Sequence, residues 1–312
     1  MIYLGFDTSN YTTSAACCGD SEVNIRKILE VKQGDRGLRQ SDALFQHVKR
    51  LPQLFEELCS QTDVSKTAAV GVSRRPRSVE GSYMPVFLAG EGYARVCAVS
   101  LGVPLYEFSH QDGHIMAGIF SAKADFLLTK PFLSVHLSGG TCEILRTEYS
   151  GCGFEVEIAG GTKDISAGQL IDRVGVALGM KFPAGAELEK LAMQAEKGSK
   201  LPVNSSDGYI NFSGIETKSL SLIGKTDNAE LALGVFNGVG EAVVKAVDYC
   251  CRKCHISDVL FVGGVMSSSI IKKYITENAG ANSYFALPEY STDNACGIAA
   301  LTKYAYENHC KE

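Results

Sequence analysis

Two stretches of this chain share one design. Residues 2–18, IYLGFDTSNYTTSAACC, run from an apolar strand through a Thr/Ser turn into a second strand. Residues 132–148, FLSVHLSGGTCEILRTE, repeat the plan with two glycines in the turn. Short β-rich runs joined by such turns predict β-hairpins whose tips carry hydroxyls and backbone N–H groups. A hairpin that recurs about 130 residues later predicts a duplicated fold with two similar halves. No period of 20 to 50 residues recurs, which excludes a solenoid.

Helical and strand patterns alternate around the hairpins. SDALFQHVKRLPQLFEELCSQ places Leu44, Val48, Leu51, Leu54, Phe55 and Leu58 at helical spacing, with Pro52 expected to bend the helix or start a new segment. KTAAVGVSRRP and VPLYEF read as strands around the helix GSYMPVFLAGEGYARVCAVSLG. The second half adds the helices SAGQLIDRVGVALGM, ELEKLAMQAEKG and NAELALGVFNGVGEAVVKAVDYCCRKC, then strand DVLFVGGV, a helix, strand SYFALP and a last helix. This alternation predicts an α/β class. The expected division is an N-terminal half over 1–126, with the C-terminal helix 294–312 packing back on it, and a C-terminal half over 127–293. A ligand cleft between the halves is expected.

Composition narrows the function classes. The chain has 312 residues, 45% hydrophobic, and a net charge of −5, so a nucleic acid would have to find a local basic patch. The apolar runs stay below the roughly 18 residues a membrane span needs. Eleven cysteines, an odd and scattered set, together with an opening that reads as a strand and not a signal peptide, predict a cytoplasmic chain with reduced thiols. The cluster Cys250, Cys251, Cys254, His255 lacks a second CxxC and reads as packed thiols rather than a zinc site.

Three turns carry the chemistry. They are Thr8-Ser9-Asn10 after Asp7, Ser138-Gly139-Gly140-Thr141, and Gly263-Gly264-Val265 at the end of a buried strand. Glycines let backbone approach a ligand, and consecutive N–H groups form anion sites. Two such hairpin tips can clamp phosphates, and the Gly-Gly turn between strand and helix can seat an adenine ring. Their order resembles that of the actin, Hsp70 and sugar-kinase superfamily, and neither GxxxxGK[ST] nor GxGxxG competes. His110 and His114, in FSHQDGHIMAG, lie four residues apart at a predicted helix start, where both rings face one way. Imidazoles so placed suit zinc, iron or copper, and Asp293 in YSTDNACGIAA can supply a third ligand or simply cap its helix.

Taken together these motifs resemble one family, the universal tRNA threonylcarbamoyladenosine modification enzymes, formerly labelled O-sialoglycoprotein endopeptidases and filed as peptidase family M22. LGFDTSN resembles the family's opening turn and HQDGH its H-x-x-G-H element. HLSGGTCEI resembles V-S-G-G-H-T, and DISAGQLIDRVGVALGMKFPAGAELEKLA resembles D-D-A-A-G-E-A-F-D-K with the Y-P-G-G-P loop. FSGIETKSL, VLFVGGVMSSS and STDNACGIA resemble the remaining elements, in order along nearly the whole chain.

The resemblance implies transfer of a threonylcarbamoyl group from threonylcarbamoyl-AMP to N6 of an adenosine next to the tRNA anticodon. It implies a divalent metal, iron or zinc, on His110, His114 and Asp293. His136, Leu137, Ser138, Gly139 and Gly140 are expected at the phosphate end of the adenylate, and Asp172 and Gly185 at the ribose. Gly263, Gly264 and Ser268, the last in place of a family Asn, are expected near the nucleotide. Asp7 and Ser9 are the candidate catalytic residues. A homologous paralogue subunit and an ATPase helper are the implied partners.

The chain also departs from the family. Tyr11 and Thr12 replace two carboxylates of the opening turn, Thr141 replaces the hairpin histidine, and Arg75 and Arg77 replace glycines of T-x-G-P-G-L-x-G-S. A tyrosine, with its usual pKa near ~10, is a poor base at neutral pH. These departures keep a non-catalytic or repurposed nucleotide- and metal-binding paralogue open as the alternative. A metallopeptidase lacks the adjacent Glu of H-E-x-x-H. A small-molecule kinase using Asp7 to place Mg²⁺ is the remaining reading.

Overall fold

The computed structural model describes residues 1–9, 11–31, 38–79, 81–293 and 295–309. Asn10 of the first turn, Asn294 and Cys310 lie outside the described residues. In chain order the elements are β1 (Ile2–Asp7), β2 (Thr12–Gly19), β3 (Val23–Ile28), α1 (Gln40–Gln61), β4 (Thr67–Arg75), α2 (Phe87–Leu101), β5 (Leu105–Ser109) and α3 (His110–Ala122). Then come β6 (Phe132–Leu137), β7 (Cys142–Tyr149), β8 (Phe154–Thr162), α4 (Ala167–Ala177), α5 (Gly185–Ala192), β9 (Asn204–Ser206), β10 (Tyr209–Asn211) and α6 (Ser213–Leu222). The chain closes with α7 (Asn228–Cys254), β11 (Asp258–Val262), α8 (Ser269–Asn278), β12 (Asn282–Phe285) and α9 (Cys296–Glu307).

Two compact units result. The first comprises Met1–Asp125, Tyr149–Glu155 and Thr292–Glu312, and the second Phe126–Glu148 and Val156–Ser291. The first unit holds a sheet of order β3-β2-β1-β4-β5, and the second one of order β12-β11-β6-β7-β8-β10-β9. Read from the crossover edge, β5-β4-β1-β2-β3 and β12-β11-β6-β7-β8 follow the same plan. Each has an antiparallel hairpin, β1–β2 or β6–β7, and a parallel strand, β4 or β11, beside the hairpin's first strand. The echo between the two hairpins is therefore a shared topology.

In the first unit every residue of β1 is buried, because α1, α2 and α9 pack on its sheet. A strand covered on both faces reads as a continuous apolar run. Helix α1 runs unbroken through Pro52, so no new segment starts there. Its inner face uses Ala43, His47, Arg50, Leu51, Leu54 and Leu58, whereas Val48, expected in the core, is exposed. Arg50 is buried because its guanidinium bonds the Ile28 carbonyl and the Glu30 carboxylate.

Helix α9 seats on β1 and α3 through glycines. A Cβ at Gly5 would stand 2.5 Å from the Ala299 nitrogen, and one at Gly297 would fall on the Gly113 carbonyl. Only hydrogen at these Cα atoms permits that approach, and it brings the residues just before α9 to the start of α3.

The second unit is built around α7. Its Val235, Phe236, Val239, Val243 and Val247 recur at helical spacing inside the core. Edge strand β3 and the strands β8, β9 and β10 escape the sequence pattern. β3 and β8 carry several exposed positions, and β9 and β10 are three residues each. Cys250, Cys251 and Cys254 are free thiols of α7. Cys152 is disulfide-bonded, so the expectation of reduced thiols does not hold throughout. Among the described residues no helix is long and apolar enough to cross a membrane.

Candidate metal centre and nucleotide groove

In the first unit, α3 begins where Ser109 caps it. The Ser109 hydroxyl accepts from the Asp112 N–H at 3.1 Å, and the Asp112 carboxylate accepts from the Ser109 N–H at 2.9 Å. This reciprocal capping box satisfies two otherwise orphan donors and fixes the first turn. Asp112, the acidic residue between the two histidines, also accepts from the Phe154 N–H at 3.2 Å and the Ser78 hydroxyl at 2.9 Å. It holds the helix start, the start of β8 and the loop after β4 together. Its role is not marked by any separate sequence signal beyond the S-x-x-D spacing of a helix start.

The first turn of α3 presents His110 and His114. Their ring centroids lie 4.4 Å apart in an edge arrangement. Asp293 meets both: its Oδ1 is 3.4 Å from His110 Nε2 and 3.3 Å from His114 Nε2. Among the described residues these three form the one group of His, Cys, Asp and Glu with metal-ligand geometry, their ligand atoms all within 4.8 Å of one another. Two imidazole nitrogens and one carboxylate are a donor set that suits zinc or iron, so the residues fit a metal.

Asp7 lies behind His110. Its Oδ2 is 3.2 Å from His110 Nδ1 and 2.7 Å from the Ser9 hydroxyl, and its Oδ1 accepts from the Ser73 hydroxyl. Asp7 is completely buried. Bound through Nδ1–H, the His110 ring is fixed in orientation and its Nε2 is turned toward Asp293, which is how outer carboxylates orient ligating histidines. Burial pulls the His110 pKa down, but the charge of Asp7 and hydrogen bonds to Asp293 and Asp7 outweigh it and push the value up to about 10. Burial acts to raise the Asp293 pKa, yet its hydrogen bonds to His110 and His114 hold it far below the usual carboxylate range. Two carboxylates converging on one imidazole make a point of strong negative potential, which attracts a cation.

Most of the first turn faces into the unit. Thr8, Ser9 and Asp7 are completely buried. The Thr8 hydroxyl donates to the Val86 carbonyl at 2.9 Å and accepts from the Gly90 N–H at 3.1 Å. The hydroxyls of Thr8 and Ser9 are used inside the unit, and Asp7 and Ser9, the expected catalytic residues, lie behind His110. Tyr11 is exposed and Thr12 buried.

The second unit carries the other predicted residues. Ser138 accepts from the Thr141 N–H at 3.0 Å and the Gly140 N–H at 3.3 Å, so two of the tip's donors turn inward. The tip docks on the start of α4: the Ser166 hydroxyl donates to the Gly139 carbonyl at 2.7 Å, and a Cβ at Gly168 would meet Gly139 Cα at 2.6 Å. Gly139 and Gly140 themselves face open space.

Beside the tip, Gly139, Asp172, Arg173, Val176, Phe182 and Leu220 line a mainly apolar groove of about 660 Å³. Val176, Phe182 and Leu220 are exposed there. Asp172 accepts from the Ala184 N–H at 2.8 Å, tying the groove to Gly185 at the start of α5. The remaining predicted residues do not line this groove. Gly263 adopts φ +99°, and a Cβ there would crowd His136 Cδ2 at 2.7 Å, so it is needed for close packing of β11 on β6. Leu137 is buried in the core, and Gly264 faces open space. Ser268 caps α8 and donates to Glu189 at 2.9 Å, so it is a structural residue as well as a candidate contact.

Solved structures share this two-sheet fold. HypF of T. kodakarensis matches 99% of this chain over 48% of its own, with a TM-score of 0.62 and 13% identity. A ROK family glucokinase of Streptomyces griseus, solved with glucose and AMPPNP, matches 97% of this chain over 99% of its own, with a TM-score of 0.53 and 11% identity. The fold is thus the two-sheet α/β fold that HypF and the ROK family glucokinase also carry, here with a His-His-Asp cluster in one unit. The sequence is also 26% identical over 316 residues to the tRNA N6-adenosine threonylcarbamoyltransferase of Thermosipho africanus, covering 96% of this chain and 92% of the relative. The profile of the family described as tRNA N6-adenosine threonylcarbamoyltransferase matches residues 24–300. The chain belongs to that family.

Proposed function

We propose that this chain transfers a threonylcarbamoyl group from threonylcarbamoyl-AMP to N6 of an adenosine next to the tRNA anticodon. The observation that carries the reading is the convergence of His110, His114 and Asp293, backed by Asp7, in a chain matched to the family over residues 24–300. In the reaction the N6 nitrogen forms a bond to the carbamoyl carbon, the bond from that carbon to the phosphate oxygen breaks, AMP leaves and N6 gives up a proton.

In this reading His110, His114 and Asp293 would hold iron or zinc. An ion bound there would supply Lewis-acid polarisation of the acyl carbonyl. Asp7, itself fixed by Ser9 and Ser73, keeps His110 Nδ1 protonated and its Nε2 available. The groove at Gly139 and Asp172 takes the adenosine part of the donor, its apolar walls suiting a base and its carboxylate a ribose hydroxyl. A paralogous subunit and an ATPase are the partners the family resemblance implies.

The test is transfer from threonylcarbamoyl-AMP to unmodified tRNA, followed by mass spectrometry of the nucleosides. The expected result is the threonylcarbamoyl nucleoside, formed by the metal-loaded chain with its partners and lost with His114→Ala. Nucleotide and metal binding without any modified nucleoside would favour the repurposed paralogue.

A further inference from the structure

We infer that Arg75 is a specificity residue that binds the free carboxylate of the transferred acyl group. This deepens the proposed transferase reading and rests on it. Arg75 ends β4, where it pairs in register with Ser109, the residue before His110. Next to it, the Pro76 carbonyl accepts from the Gln111 N–H at 3.1 Å, which pins this segment to the first turn of α3. Arg75 is thereby placed beside the strand end that leads into the histidine pair.

Among the described residues its charge has no ion-pair partner. Arg74 pairs with Glu107, and Arg95 pairs with Glu107 at 2.9 Å and Glu91 at 3.4 Å. Arg75 forms no ion pair with the described residues, and its Nε is buried without a hydrogen-bond partner. A buried, unsatisfied guanidinium donor is costly unless something accepts from it. Arg75 also lines a pocket of about 380 Å³ with Val79, Met84, Phe87, Leu88 and Glu91. Phe87 reaches from this pocket to His110, ring centroids 6.3 Å apart.

The chemistry of the pocket selects among anions. It offers one cation without an ion-pair partner among the described residues, an apolar wall and about 380 Å³ of space, ample for an amino-acid group. A guanidinium binds a carboxylate in a planar, bidentate fork, and the apolar wall suits a small methyl-bearing side chain. A polyanion would instead call for several uncommitted cations along a surface, and here Arg74 and Arg95 are already neutralised. Threonylcarbamoyl carries both features, a free α-carboxylate and a small methyl-bearing side chain.

The probes are N-carbamoyl-L-threonine and its methyl ester, titrated calorimetrically into the metal-loaded chain. The wild type is expected to bind the acid at least tenfold more tightly than the ester. Arg75→Met is expected to bind acid and ester equally, at the wild type's ester affinity, and Arg75→Lys to recover part of the preference. The acid–ester comparison on the wild type needs no variant to fold.

A wild type that binds both probes alike, or neither, overturns the inference, as does Arg75→Met retaining the acid preference. Affinity for tRNA should be the same for wild type and Arg75→Met. A loss of tRNA affinity in that variant with unchanged probe binding would assign Arg75 to a nucleic-acid phosphate instead. Failure of wild-type transfer to tRNA tests the transferase reading separately and leaves the acid–ester result readable.

Discussion

The two hairpins share one topology and have opposite fates. In the turn between β1 and β2, Asp7, Thr8 and Ser9 are buried, and their polar atoms are committed to Ser73, Val86, Gly90 and His110. The tip between β6 and β7 is open at Gly139 and Gly140 and sits against the start of α4 beside an apolar groove. The same fold element thus serves in one unit to set the angle of an imidazole and in the other to border a surface where a ligand can lie. Hydroxyls in a turn do not by themselves mark an anion site. Their neighbours decide whether they face inward or outward.

The largest expected effect falls in the first unit. His114→Ala removes a proposed ligand, and if the ion contributes several kcal/mol to the transition state, transfer should fall on the order of a thousandfold. AMP binding, measured by calorimetry, should be unchanged. A parallel loss of both would show that the two units do not divide the work.

Asp7→Asn is expected to come next. It keeps the shape but removes the charge that orients His110, so ion affinity should fall roughly 10- to 100-fold, read as metal retained per chain after dialysis against a chelator series. Gly297→Ala places a methyl on the Gly113 carbonyl. It should cost about 1–3 kcal/mol of stability through overpacking and loosen ion binding, measured by denaturant unfolding with and without metal. On the open side, Gly168→Val drives into Gly139 and should weaken AMP binding while leaving the ion content intact. The smallest effect is Ser9→Ala, which removes one buried hydrogen bond to Asp7 and should lower stability by about 1 kcal/mol.

Much of this was legible in the sequence because it rests on local pattern. The two hairpins, the long apolar helix α7, and the i, i+4 histidine pair each declare themselves within a few residues. What was hidden depends on where side chains point across the fold. Nothing in LGFDTSN says that Asp7 turns inward to His110 rather than outward to a ligand. Nothing in VMSSS says that Ser268 binds Glu189, 79 residues away. The meeting of Asp293 with the histidines depends on Gly5, Gly113 and Gly297 letting α9 approach β1 and α3. Glycines at helix and strand positions do not advertise the neighbour they admit. In the sequence Arg75 stands out only as a departure from the family pattern, and nothing there says that, unlike Arg74 and Arg95, it forms no ion pair with the described residues.

The central claim is that the first unit holds one ion on two imidazoles and a carboxylate. The most direct measurement is anomalous diffraction at the metal edge from crystals of the metal-loaded chain. The account predicts a single strong peak bounded by His110 Nε2, His114 Nε2 and the Asp293 carboxylate, absent in His114→Ala crystals. No peak there at saturating metal, or a peak that survives the loss of His114 unchanged, would contradict it.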